Sequence, residues 1–417
     1  MFARFLPRSP HAEIYTQIRS LLTASIESQY VRVNHDEKSM KFPQIWLRDN
    51  CCCPECFHEG TQSRIYKFKV GVRAERVSFS LSICHGGVIT QNYYQVQALD
   101  DKSVQIEWND RHTSVYNLKW LGERDFSPEN RQKYIDEFYR LKHVFWGKED
   151  FKKECKEFEF DEVMGTNEGL RKWMEALAIY GVALINNSPK EKTTARRLAD
   201  RVGFIRKTHY GEEFSVMSKP DAKNYAYLSA PLPLHTDLPY YEYKPGLNLL
   251  HCFTQSESSG GQSLTADAFY VAERLKQKDP KSYEILTKVP VDWNDIGSEG
   301  GGEGFHSIYR SPMINFDADG RYNRINLSIP QRDSHFTVKL EEVIPWYEAY
   351  WKLIEILKEE TTTFKLKEGQ LLTFNNLRVL HGRTGYDDNE TNVRHIIGVY
   401  LDWDIVYARW RVLKSGK

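Results

Sequence analysis

Nothing in these 417 residues is long and apolar enough to span a membrane. The longest apolar run, Ala176 to Ile185, is about half the ~20 residues a span needs, and Gly181 interrupts it. A basic excess is also missing. Lys plus Arg and Asp plus Glu are both 57, so the formal net charge is zero. The chain lacks the positive field with which duplex-binding proteins attract phosphates. Neither nucleic acid nor a membrane is an expected partner. No internal repeat stands out, and a secretory signal is not expected from the first residues. With 41% hydrophobic and 27% charged residues, wholesale disorder is excluded. Cysteines are few, seven in all and odd in number. Four of them, Cys51, Cys52, Cys53 and Cys56, are too crowded to bridge one another with good disulfide geometry. A chain of this length buries a core without disulfides, so a reducing compartment and metal-bound thiolates are the expectation.

Aromatic residues, by contrast, are plentiful at 13%, with 24 Tyr and 10 Trp, so aromatic-lined pockets are expected. Length sets a prior of two to three domains at ~150 residues each. We divide the chain into an N-terminal extension (1–28), a β-rich domain (29–146) and a larger C-terminal domain (147–417). In the extension Arg4, Arg8 and Arg19 sit among apolar residues, and Glu13 is the only acid before Glu27. Mitochondrial transit peptides share that composition. An ordinary helix starting near Pro10 is the preferred reading, and with it a cytoplasmic location; mitochondrial is the alternative.

Between residues 29 and about 120 the pattern is β. Val77, Phe79, Leu81 and Ile83 alternate with serines, and Val104, Ile106 and Trp108 alternate with Gln105 and Glu107. A helix follows Ser127-Pro128, with Tyr134, Phe138 and Leu141 at helical spacing. Residues 147–162, dense in Lys and Glu, read as a linker. Beyond it we expect helices over 167–179 and 191–202, and strands at 182–185, 247–253, 371–374 and 395–401. An amphipathic helix should begin at Pro345 and carry Trp346, Tyr350, Leu353 and Leu357. The Gly- and Glu-rich stretch Gly297–Gly304 reads as a mobile loop.

Two clusters carry chemistry. In Trp46-Leu47-Arg48-Asp49-Asn50-Cys51-Cys52-Cys53-Pro54-Glu55-Cys56, the Cys53–Cys56 pair forms a C-x-x-C knuckle, and Cys51 or Cys52 can add a third sulfur. Structural zinc takes four thiolate or imidazole ligands. His58, Cys84, His85 and His112 are the candidates for the fourth. A merely reactive thiol cluster is the competing reading. The second cluster is His235-Thr236-Asp237, in which residues two apart on an extended segment face the same way. With His381 it would make the two-histidine, one-carboxylate facial triad of non-haem Fe(II) oxygenases, leaving three positions for a bidentate 2-oxo acid and dioxygen. Alone, H-x-D is a weak signal. Arg394, at the start of an expected strand, adds a guanidinium able to grip a carboxylate in bidentate fashion. Its bland alternative is an ion pair with Asp387, Asp388 or Glu390.

These segments bring a resemblance into view. WLRDNC at 46–51, HTD at 235–237, LLHC at 249–252, GG-x-S at 260–263, VDWNDIG at 291–297, RVLHGR at 378–383 and YLDWD at 400–404 occur in that order. From about Trp46 to Leu413 the chain resembles the γ-butyrobetaine/trimethyllysine dioxygenase family, more distantly related to taurine dioxygenase. The resemblance implies a mainly β fold with flanking helices: a double-stranded β-helix, or jelly-roll, oxygenase domain preceded by a small zinc-binding β domain. It implies zinc held by Cys51, Cys53, Cys56 and His112, with Cys52 left out. It implies Fe(II) held by His235, Asp237 and His381, with Arg394 and the Ser263 hydroxyl binding 2-oxoglutarate. Dioxygen and ascorbate complete the implied cofactor set, and a homodimer the implied assembly.

The expected reaction is hydroxylation of γ-butyrobetaine to carnitine, with release of succinate and CO2. The family's aromatic cage for a trimethylammonium maps onto Tyr210, Phe214, Tyr227 and Tyr400, where cation–π attraction replaces hydrogen bonding. Asn224 matches an amide that meets the substrate carboxylate. Three positions depart from the family pattern: Phe214 replaces a Trp, Leu238 replaces an aromatic residue, and Ser328 stands where a second amide is expected, with Ile329-Pro330-Gln331 also divergent. Trimethyllysine or another small betaine is therefore the rival substrate. A non-catalytic zinc-binding interaction protein and a metal hydrolase using H-x-D are the rivals of other classes.

Overall fold

The computed structural model describes residues 22–35, 37–65, 71–81, 102–218, 225–297, 304–387 and 392–416. It divides into two compact units, residues 1–139 and 140–417.

The first unit is built from two antiparallel meanders. Strands β1 (Leu22–Glu27), β2 (Tyr30–His35) and β3 (Lys38–Pro43) form one. The short helix α1 (Gln44–Asp49) then leads into the cysteine cluster. Strands β4 (Ala74–Leu81), β5 (Lys102–Trp108) and β6 (Thr113–Asn117) form the other. The period-two pattern on β5 is realised, since Val104, Ile106 and Trp108 are buried against Val31, Val33, Phe42 and Leu47 while Gln105 and Glu107 are not. Helix α2 (Leu118–Glu123) follows, and Ser127 caps α3 (Pro128–Tyr134) by accepting from the Asn130 N–H. The helix expected from Pro10 lies in residues outside the described set, except that Leu22–Glu27 is a strand. Its pairing with β2 across Ala24–Val33 overrides the apolar spacing that suggested helix.

In the second unit the expected linker is ordered structure. Phe151, Cys155, Phe160 and Val163 are buried at spacings that the surrounding Lys and Glu disguise. Strand β7 (Lys156–Glu159) pairs in parallel with β8 (Val182–Asn186). Helix α4 (Asn167–Ile179) ends before Gly181, whose φ of +80° only glycine adopts readily. After α5 (Thr194–Val202) come strands β9 (Glu213–Val216), β10 (Leu232–His235), β11 (Leu247–Thr254) and β12 (Ser263–Asp267). The hairpin of β13 (Val291–Gly297) and β14 (Phe305–Ser311) flanks the expected Gly-rich loop, of which residues 298–303 lie outside the described set. Helix α6 spans Leu340–Glu359, not from Pro345. Pro345 lies inside it, and the carbonyl that loses its partner belongs to exposed Glu341. Strands β15 (Thr362–Phe364), β16 (Leu371–Asn375), β17 (Val379–Arg383) and β18 (His395–Leu401) precede the terminal helix α7 (Trp403–Ser415).

Apart from the β13–β14 hairpin, these strands form two sheets. The larger has the order β9-β18-β11-β16-β8-β7 and the smaller β10-β17-β12-β15. Phe374 and Ile396 of the larger sheet share a buried cluster with Val379 of the smaller. Helices α4, α5 and α7 cover the larger sheet through Trp173, Leu198 and Trp410. Helix α6 and the helix Ala268–Lys278 cover the smaller through Phe269, Trp346 and Leu357. The fold is thus mainly β with flanking helices, as expected.

Candidate active site and thiol cluster

The smaller sheet assembles the H-x-D residues with the distant histidine. His235 ends β10 and is the direct antiparallel partner of His381 on β17. Their rings stand 4.3 Å apart between centroids. Close approach here depends on Gly382, because a Cβ would lie 2.6 Å from the Leu232 carbonyl oxygen. After His235 the chain turns sharply, and Leu238 takes φ +54°, a left-handed conformation costly for a leucine. Asn376 enforces that turn. Its Oδ1 accepts from the Asp237 N–H at 2.8 Å and its Nδ2 donates to the Asp237 carbonyl at 3.1 Å.

The three side chains converge. Asp237 Oδ1 lies 3.1 Å from His235 Nε2 and 3.6 Å from His381 Nε2. His235 Nδ1 meets the Pro233 carbonyl at 2.9 Å, which orients the ring so that Nε2 faces the cluster. The other carboxylate oxygen, Oδ2, accepts from Asn248 Nδ2 at 2.6 Å and from the Tyr400 hydroxyl at 2.8 Å. Burial alone would raise the Asp237 pKa, but His381, His235 and the Tyr400 hydroxyl outweigh it and hold the carboxyl below its usual range. Burial pushes His381 down to about 4, so its imidazole is neutral at physiological pH. A carboxylate and imidazoles with available nitrogens form a donor set that fits Fe(II).

One cavity gathers nearly all the expected residues. His235, Asp237, His381, Ser263, Arg394, Tyr210, Phe214, Tyr227 and Tyr400 line it, together with Ser328 and Leu238. Asn224 lies outside the described residues. Arg394 is 6% exposed, and among the described residues no carboxylate comes within ion-pair reach of it. The bland pairing with Asp387 is therefore not made; Asp388 and Glu390 lie outside the described set. A buried guanidinium without an anion is costly and fits a carboxylate ligand. Phe214 stacks on Tyr400 at 4.7 Å and 24°. It does so by lying across its β18 partner Gly398, where a Cβ would come within 2.1 Å of the ring. Tyr240, which carried no sequence signal, also lines it, as do Gln331 of the divergent stretch and Arg383 at the end of RVLHGR. Arg383 donates to the carbonyls of Ala226, Leu228 and Ala230, tying the Tyr227 segment to the strand of His381.

The first unit brings Cys51, Cys53, Cys56 and His112 together, with all four ligand atoms within 4.8 Å of one another. The three sulfurs lie 3.2, 3.5 and 3.6 Å from His112 Nε2. In the C-x-x-C knuckle the Cys56 and Phe57 N–H groups both donate to the Cys53 carbonyl at 2.9 Å. Arg48 joins the two halves, bonding Asp110 at 3.0 Å and Cys56 Sγ at 3.4 Å, while Asp110 accepts from the His112 N–H. Cys52 is exposed and points to the Asn50 carbonyl. His58 instead caps a short turn at Thr61, and Cys84 and His85 lie outside the described residues. Three thiols around one imidazole fit a zinc ion.

The profile of the taurine catabolism dioxygenase TauD, TfdA family matches residues 138–400. The chain belongs to this family. A second profile, γ-butyrobetaine hydroxylase-like, N-terminal, matches residues 22–122. Over 383 residues the chain is 34% identical to γ-butyrobetaine dioxygenase of Homo sapiens, covering 91% of this chain and 93% of that one. It is 31% identical over 396 residues to γ-butyrobetaine dioxygenase of Pseudomonas sp. (strain AK-1), with 91% and 92% covered. Mitochondrial trimethyllysine dioxygenase of Homo sapiens is 29% identical over 427 residues, with 99% and 92% covered. As a TauD/TfdA member the protein is a 2-oxoglutarate-dependent iron dioxygenase, and its cysteine cluster is compatible with structural zinc. Among the described residues no helix is long and apolar enough to cross a membrane.

Proposed function

We propose that this enzyme hydroxylates γ-butyrobetaine to carnitine, consuming dioxygen and 2-oxoglutarate and releasing succinate and CO2. The observation that carries this reading is the double role of Tyr400. Its ring belongs to an aromatic group with Phe214, and its hydroxyl holds Asp237. A quaternary ammonium cannot donate a hydrogen bond, so aromatic faces beside a metal site suit it.

In this reading His235, Asp237 and His381 hold Fe(II), with Asp237 Oδ1 as the metal-facing oxygen because Oδ2 already accepts two hydrogen bonds. The bound metal supplies the oxidising chemistry that couples decarboxylation of 2-oxoglutarate to insertion of one oxygen atom into a C–H bond. Arg394 anchors the cosubstrate's distal carboxylate, with the Ser263 hydroxyl beside it. Tyr210, Phe214, Tyr227 and Tyr400 surround the trimethylammonium, and Asn224 meets the substrate carboxylate. The apolar lining from Leu232, Leu250, Leu366 and Ile396 excludes water from the reacting bond.

The zinc set is Cys51, Cys53, Cys56 and His112, and it is structural because four protein ligands leave no open position. A zinc-binding β domain before a jelly-roll oxygenase domain, a homodimer and a cytoplasmic location complete the proposal; free cysteines suit a reducing compartment. The test is a panel of small betaines with 2-oxoglutarate, following succinate release and product mass. γ-Butyrobetaine should gain one oxygen atom faster than trimethyllysine; the reverse order would reassign the substrate.

A further inference from the structure

We propose that Gln331 reads the carboxylate end of the substrate, with Ser328 fixing the amide so that its Nε2–H groups face the cavity. The inference rests on the betaine reading above and supplies the donor that the chain's departure at Ser328 removes.

A primary amide offers one acceptor oxygen and two donor hydrogens. The Ser328 hydroxyl, on a residue only 2% exposed, donates to Gln331 Oε1. That contact sets the amide plane, occupies the oxygen and turns the nitrogen away from Ser328. Among the described residues nothing accepts from Nε2, and both side chains line the cavity that holds the triad.

The backbone beneath this pair is held at both ends. The Gln331 carbonyl accepts from the Asn294 N–H at 2.9 Å, Arg332 bridges to Trp293, and the Asp333 N–H donates to the Asp292 carbonyl at 2.9 Å. At the other end the Leu327 carbonyl accepts from the N–H of Thr236, the residue between His235 and Asp237, at 2.8 Å. A side chain already ordered in this way loses little entropy when a ligand arrives. The two guanidinium groups at the cavity are differently engaged. Arg394 is committed to the cosubstrate, and Arg383 points its guanidinium at backbone carbonyls. A neutral N–H donor at Gln331 suits a carboxylate that has no neighbouring ammonium group.

The test compares two ligands by titration calorimetry on the full chain loaded with 2-oxoglutarate and Mn(II) as a redox-silent stand-in for iron. One is γ-butyrobetaine. The other is butyltrimethylammonium, which has the same cation and chain but no carboxylate. Gln331→Leu should weaken γ-butyrobetaine about 10- to 100-fold, the loss expected when a hydrogen bond to a charged group is removed. Butyltrimethylammonium should change less than about twofold, which also shows that the variant is folded. Ser328→Ala, which releases the amide, should give a smaller loss of the same selectivity. If Gln331→Leu keeps the wild-type preference for γ-butyrobetaine, or loses both ligands alike, the inference is overturned while the betaine reading stands. If the wild-type protein does not distinguish the two ligands, the substrate reading falls and takes this inference with it.

Discussion

Tyr400→Phe separates two jobs that one side chain performs. The substitution removes the hydroxyl that donates to Asp237 Oδ2 at 2.8 Å, but leaves the ring that stacks on Phe214 at 4.7 Å. Asp237 then retains one side-chain donor to Oδ2, Asn248 at 2.6 Å. A hydrogen bond to a buried charged group is worth about 1.5–3 kcal/mol. Its loss destabilises the ionised carboxylate that the metal requires, so Fe(II) affinity should fall about 10- to 100-fold. Outer partners of metal ligands tune affinity over a similar range. Anaerobic Fe(II) titration of metal-free protein reads this directly, and succinate release at saturating Fe(II) should recover most of the activity. Affinity for γ-butyrobetaine should change little, because the aromatic face remains. Fe(II) affinity within about twofold of wild type, together with weakened betaine binding, would refute the reasoning and leave Tyr400 as a cage residue only.

Arg394→Ala should strongly raise the 2-oxoglutarate concentration required for turnover, since a buried carboxylate would lose its guanidinium; an altered betaine requirement alone would place Arg394 elsewhere. Cys53→Ser combined with Cys56→Ser should release the zinc retained by the wild-type chain, read by metal analysis after gel filtration; full retention would exclude these ligands. His251 is buried, among the described residues neither ring nitrogen has a hydrogen-bond partner, and burial together with neighbouring His395 lowers it to about 4 from the ordinary 6.5. Between those two values the unfolded chain binds a proton that the folded chain does not, so stability should fall as pH drops through this window. Thermal unfolding followed from pH 7 to pH 4 should show a shallower slope in His251→Leu, and an unchanged slope would mean that another group governs the window.

What was legible in the sequence followed from short-range geometry. The H-x-D spacing marks His235 and Asp237 even though Asp237 lies in the bend just beyond the end of β10, so the turn rather than strand alternation brings them together, and a C-x-x-C turn brings two sulfurs together. Helix α4 was readable because its apolar spacing is long and Gly181 ends it. The failures share a cause as well. In residues 147–162 a few buried aromatics lie among many charges, and composition outweighed Phe151 and Phe160. At the start of α6, Pro345 looked like a beginning because proline usually is one, yet the helix tolerates it where Glu341 faces water.

The residues that hold the candidate site in shape were invisible for a different reason. Asn376 clamps the backbone of Asp237, Asn248 holds its outer oxygen beside Tyr400, of which only the ring was legible, and Gly398 makes room for Phe214. Asn376 and Gly398 act on residues far away in the chain, and Asn248 on one 11 positions before it, through folded contacts that no local pattern reveals. A metal ligand can be guessed from its chemistry, because few residue types serve. A supporting asparagine has no such mark until the strand register is known. The consequence is that substitutions at Asn376 or Asn248 should disturb the metal site as surely as those at the ligands, although neither position stands out in the sequence.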